Sequence, residues 1–235
     1  MKGLTISLAP LMLSVFFGAG CGGATEDQYN PVINPTDFVA EVDNPYFPLQ
    51  PGTTFVYQGQ TEEGTERNEV VITDKAKSIL GVTAVVVWDR VWLNDLLIEE
   101  TFDWYAQDKE GNVWYFGEEV NNYKDGVLKD HAGAWEAGVA GAKPGIIMKA
   151  APRVGDTYRQ EYYKGEAEDM ADVLSLAQTV LVPWGSFTKC LETRDWTPLD
   201  PGHVEHKYYA PGIGLVLETL EGGSERVELV EVKTA

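Results

Sequence analysis

Glu166, Glu168 and Asp169 stand within four residues of one another, with Asp172 just beyond. Hard cations such as calcium take carboxylate and carbonyl oxygens, often from a turn, so these three are candidate ligands for a divalent cation. A second set is Asp103 with Tyr105, Tyr115 and Trp135, side chains that could line a ligand cavity in a curved sheet. Asp103, Glu166, Glu168 and Asp169 are also the carboxylates that a hydrolase or lyase could use as acid, base or cation ligand. Stronger catalytic signatures are missing. The chain has no G-x-S-x-G elbow, no phosphate loop and no H-E-x-x-H helix. Of its three histidines, His203 and His206 are three apart after a Pro-Gly turn, a spacing that sends them to opposite faces of a strand. Cys190 lies in a strand-like stretch and reads as a small buried hydrophobe.

The elements that would position these groups are short strands separated by turns. Strands are expected at Thr53–Gln58 and near 66–74, 82–93, 96–107, 112–119, 157–164, 173–182, 186–196, 204–210, 214–220 and 225–233. Leu80-Gly81, Asn94-Asp95, Glu110-Gly111, Asp125-Gly126, Pro211-Gly212 and Gly222-Gly223 punctuate them. No strand–helix alternation appears, so the fold class is mainly β, an antiparallel meander closing into a barrel, half-barrel or sandwich with little helix. The stretch 166–181 reads two ways, because its apolar residues have helical spacing while Val173–Val182 also suits a strand; strand after about Asp172, with a short turn or helix before it, is the reading preferred here.

One hairpin can be read in register. Asp108–Asn112 suits a three-residue loop with Gly111 in the left-handed conformation. That loop pairs Ala106 with Trp114 and Trp104 with Phe116. It puts Leu96, Ile98, Phe102, Trp104, Ala106, Trp114 and Phe116 on an expected core face, and Glu99, Thr101, Asp103, Tyr105, Gln107, Val113, Tyr115 and Glu119 on the other. The Gly- and Ala-rich stretch from Asp130 to Pro152 is expected to be a long loop, either a lid or a surface loop pinned by Trp135.

Composition limits the partners. With 18 Lys+Arg against 37 Asp+Glu the formal charge is −19, which excludes a phosphate-binding face and hence nucleic acid. The N-terminus carries Lys2, an apolar run from Leu4 to Phe17, and then Gly18-Ala19-Gly20-Cys21, the plan of a secretory leader. That small-small-Cys ending resembles the lipobox of bacterial lipoproteins. The resemblance implies that Cys21 is lipidated and becomes the mature N-terminus, and Gly22 after it implies the outer membrane where the organism has one. The expected layout is a signal peptide over 1–20, a flexible tether over 21–44 and a single β-rich domain over 45–235. The pieces Val182–Phe187 and Tyr208–Val216 resemble elements of uncharacterised secreted bacterial β domains, a likeness that implies a β-sheet wrap and no activity.

The function expected from these residues is a binding or carrier module outside the cytoplasm, held to the membrane by its N-terminal lipid. It would take an apolar or amphipathic ligand or an envelope protein as partner. A carboxylate- or cation-dependent hydrolase or lyase, and a structural envelope protein, are the alternatives.

Overall fold

A computed structural model of the chain describes residues 29–61 and 63–234. The signal peptide, Cys21 and the first part of the expected tether lie outside the described residues. Apart from a single 3-10 turn at Pro35–Asp37, the regular structure of the described chain is antiparallel β, as the turn-punctuated sequence predicts. Its strands in order are β1 (Phe38–Val39), β2 (Thr53–Thr61), β3 (Gly64–Ile79), β4 (Val82–Leu93), β5 (Leu96–Asp108), β6 (Val113–Lys124), β7 (Val127–Asp130) and β8 (Trp135–Glu136). Then come β9 (Lys143–Met148), β10 (Thr157–Arg159), β11 (Glu161–Tyr162), β12 (Met170–Val182), β13 (Gly185–Trp196), β14 (Val204–Ala210), β15 (Gly214–Leu220) and β16 (Arg226–Thr234).

Hydrogen bonding orders the sheet β10-β12-β13-β14-β15-β16-β2-β3-β4-β5-β6-β9-β11. The two ends of this path, β10 and β11, are consecutive in the chain with only Gln160 between them. The sheet therefore comes round on itself into a nearly closed barrel. The single strand expected over 157–164 is in fact this seam, β10 pairing with β12 and β11 with β9. Gly145 allows the closure, because a Cβ there would run into the backbone of Gln160 and Glu161.

The strand reading of 166–181 holds, while two other expectations are corrected. Over 166–181 the chain is strand from Met170, preceded by a tight turn in which Tyr163 bridges Ala167. Register shifts between Val173 and Ser175, Ser175 and Gln178, and Gln178 and Val180 break the two-residue alternation. Bulges of that kind leave apolar residues three or four apart, and this mimics a helical stripe. The stretch after Asp130 is partly sheet, since β9 pairs with β6 and Trp135 packs inward on β8. The described part of the expected tether, 29–44, is built into the domain: β1 pairs with β5, Val42 is buried, and the Asn44 side chain donates to the carbonyls of Gly111 and Lys149.

The hairpin loop forms as expected, with Gly111 at φ 95°, Asp108 N–H donating to Asn112 O, and Ala106 opposite Trp114. Past Tyr105 a bulge intervenes, so Trp104 does not pair with Phe116 and Asp103 comes opposite Glu118. The faces also differ from expectation. Thr101, Asp103, Tyr105, Val113 and Tyr115 point into the barrel and are buried. At its loop end the apolar face is covered as well, Phe38 packing edge-on against both Trp114 and Phe116. Toward the other end Phe102 is half-buried and Leu96 exposed.

Strand direction sorts the interior into two ends. At the rim made by the 79–82, 108–113, 182–185 and 210–214 turns, the filling is apolar: Phe55, Ile79, Val82, Val113, Leu191 and Leu215. Phe47 and Leu49 plug that end, Phe47 meeting Tyr105 edge-on at 5.2 Å. Toward the opposite rim, at 61–64, 93–96, 196–204 and 220–226, the buried side chains are largely polar: Glu66, Asn68, Asp89, Asp195, Glu205, Lys207 and Glu218.

Candidate functional site

Where the two ends meet, β5 and β6 set Asp103 directly opposite Glu118, both essentially without solvent exposure. Cross-strand partners have Cβ atoms about 5 Å apart, so two carboxyl groups share one small space. Tyr115 donates its hydroxyl to Asp103 at 2.8 Å, and Thr101 donates to the other Asp103 oxygen at 3.3 Å. Tyr115 stacks on Tyr105, ring centroids 4.8 Å apart, and meets Trp135 edge-on at 5.3 Å. Trp135 is brought there by β8, which pairs with Gly117 and Glu118. Gly117 has φ 125°, and a Cβ would strike the Trp135 carbonyl, so only glycine lets β8 lie this close. Glu161 comes from β11 beside the Trp135 indole.

Burial dominates the electrostatics. It pushes Asp103 up to about 7, against the pull of the Tyr115 and Thr101 hydroxyls. Glu118 lies well above the ordinary carboxylate range, first through burial and then through Asp103 and Glu161 nearby. Glu161 is raised in the same way, by burial and then by Asp169. Glu99 on β5, also pushed up to about 7 by burial, is only half-buried and leads from this group toward the polar rim. Two acids in one desolvated space cannot both ionise cheaply, so the group holds protons at neutral pH.

A neighbouring group is balanced differently. Lys207 on β14 has Glu205 at 3.4 Å, Asp195 at 3.6 Å and Glu218 at 3.8 Å, all buried. Burial would deprotonate this lysine, but the three acids outweigh it and hold the ammonium charged. His203 sits inside, bonded to Glu205 at 3.1 Å, and His206 outside, bonded to Glu192 at 3.0 Å.

Asp103, Tyr105, Tyr115 and Trp135 are thus brought together, although Trp135 lies far along the chain from the hairpin. The acidic turn is not assembled. Glu166 is exposed, Glu168 accepts the Gly165 N–H at 2.8 Å and faces Arg159 at 3.9 Å, and Asp169, just before β12, is buried. Among the described residues no three His, Cys, Asp or Glu side chains are arranged to hold a metal ion. Glu118, Glu161 and Lys207 escaped the sequence reading. Simple alternation puts Glu118 on the face of Trp114 and Phe116, and only the β5–β6 bulge turns it toward Asp103; Glu161 and Lys207 arrive on β11 and β14, strands remote in the sequence.

The class defined so far is a small antiparallel barrel, plugged with apolar residues at one end and lined with acids at the other. No protein-family profile matches the chain, and no curated protein sequence does. Among solved structures it is similar to a Bacteroides fragilis protein described as exported and having a YmcC-like fold. The two share 17% identity at a TM-score of 0.44, over 80% of this chain and 99% of that one. A Parabacteroides distasonis protein described as a lipoprotein overlaps at 12% identity and a TM-score of 0.38, over 80% and 98%.

Proposed function

We propose that the chain is an exported, lipid-anchored binding protein of the cell envelope whose ligand sits at the polar end of the barrel interior. The observation that carries this reading is the Asp103–Glu118 pair ringed by Tyr105, Tyr115 and Trp135. An interior selected for stability alone would do better with apolar residues there, because desolvating carboxylates costs more than their contacts return. The apolar end is already filled by Phe47, Leu49 and Phe55, so the ligand is polar or amphipathic rather than wholly apolar.

Anchoring falls to the N-terminus. The outer wall carries ion pairs such as Arg90–Glu69 at 2.8 Å and Arg194–Asp172 at 3.3 Å, which a lipid-facing wall would not. The leader ending in Gly18-Ala19-Gly20-Cys21 supports attachment through Cys21. Cys21→Ser should move the protein from the membrane fraction to the soluble fraction, and a variant that stays membrane-bound would refute the lipid anchor. Native mass spectrometry of protein purified from its own envelope should find a small molecule retained by the wild type and lost from Glu118→Gln. A bare mass for the wild type would remove the ligand reading.

A further inference from the structure

The Asp103–Glu118 group has a surplus of acceptors. Oε2 of Glu118 is buried and accepts no hydrogen bond. A buried carboxylate oxygen without a donor is costly, and it is satisfied by an N–H or O–H that comes from elsewhere. Asp103 directly opposite and Glu161 nearby repel an anion and favour a positive charge. Tyr105, Tyr115 and Trp135 pack on one another beside the same acids, and ring faces attract cations and cover alkyl carbons. The net charge of −19 draws cations to the whole molecule. A bare metal ion fits poorly, because it needs several oxygens converging on one point and no such set exists among the described residues. An alkylammonium brings three N–H donors on one small head and can be held by a single carboxylate with neutral acceptors beside it.

We infer that the polar end of the barrel binds a primary ammonium group, with Glu118 as its counter-ion and Tyr105, Tyr115 and Trp135 against its alkyl chain. This rests on the reading of the interior as a ligand site and names the ligand's class. The acids facing Glu118 are Asp103 and Glu99 from β5, Glu161 from β11, and Asp169 just before β12; Lys207 on β14 acts on Glu161. As the ammonium enters, a carboxyl proton held by this group leaves to the buffer, so charge is conserved in the site.

The test is calorimetric titration of the full-length chain with n-butylammonium chloride, beside sodium chloride at matched ionic strength and n-butanol. Butylammonium should bind one to one, with a heat that varies with the buffer's ionisation enthalpy. Glu118→Gln should weaken it by about tenfold or more, while Glu119→Gln, exposed on the same strand, leaves it unchanged. Should Glu118→Gln not fold, the buffer dependence of the wild-type heat decides alone. Equal responses to sodium, or undiminished binding in folded Glu118→Gln, would overturn the inference. Butanol binding as tightly as butylammonium would overturn the cationic class and leave the ligand site standing. Binding of neither, with a bare native mass, would remove both.

Discussion

Asp103 and Glu99 rise to about 7 in the folded chain, above the values near 4 that such acids have when unfolded. Between those limits the folded form binds more protons than the unfolded one. Stability is therefore fullest below about pH 4 and falls as pH rises through about 7, the reverse of a salt-bridged acid. The melting temperature should be lower at about pH 8 than at about pH 5. Asp103→Asn keeps an acceptor for Tyr115 and should narrow that difference by roughly 2–4 °C, the equivalent of about 1 kcal/mol. Identical pH slopes in the two proteins would mean that Asp103 does not titrate in this range. Cys190 makes a second test at this scale. It is fully buried on β13, and burial pushes its thiol up. A thiol reagent should label it only on unfolding, in step with loss of structure; prompt labelling of native protein would contradict the packing.

At the scale of elements, the segment before β2 acts as a strap across the β5–β6 turn. Asn44 is its fastening. Its backbone N–H donates to the Gln107 side chain, its amide to Gly111 and Lys149, and its Oδ1 accepts from Tyr46 N. Asn44→Ala would orphan two backbone carbonyls and an N–H in a buried place. Urea unfolding should register a loss of about 2–3 kcal/mol. A loss below about 0.5 kcal/mol, usual for a surface position, would return this segment to the tether role that its Pro- and Asn-rich composition suggests. The strap also accounts for the hairpin faces at the loop end, since Phe38 there buries the side of β6 that the barrel does not.

At the scale of the whole molecule, the ring depends on one close approach. Gly145 on β9 lies against the Gln160 backbone, where β10 passes into β11. Gly145→Ala must push these strands apart and should cost about 2–4 kcal/mol in urea unfolding. Gly185→Ala is the comparison. The nearest atom to its Cβ would be a Phe187 ring carbon at an ordinary 3.4 Å, so its effect should stay within about 0.5 kcal/mol. Equal effects would show that closure at 145 is not under constraint. Because the acids of the polar end come from β5, β6, β11 and β14, an opened seam should also blunt the pH dependence.

The sequence by itself determined the local facts. Turn residues and β-branched or aromatic runs fixed the strands of β2 to β6 and β13 to β16, and the Asp108–Asn112 loop was readable down to Gly111. Successive side chains of a strand face opposite ways, so between bulges the sequence shows which residues share a face. It does not show which face turns inward. On β5 the apolar face seemed the natural core, yet the barrel encloses Thr101, Asp103 and Tyr105, and a separate segment covers the loop end of the apolar side. Only the tertiary structure could decide this, because it depends on how the sheet curls and what the strap covers. The meeting of Asp103 with Glu118 needed the β6 bulge at Phe116–Gly117 opposite Trp104, that of both with Trp135 needed β8 to pair with β6, and that with Glu161 needed ring closure at Gln160. Those pairings join residues far apart in the chain, and their partners leave no periodic trace in either strand alone.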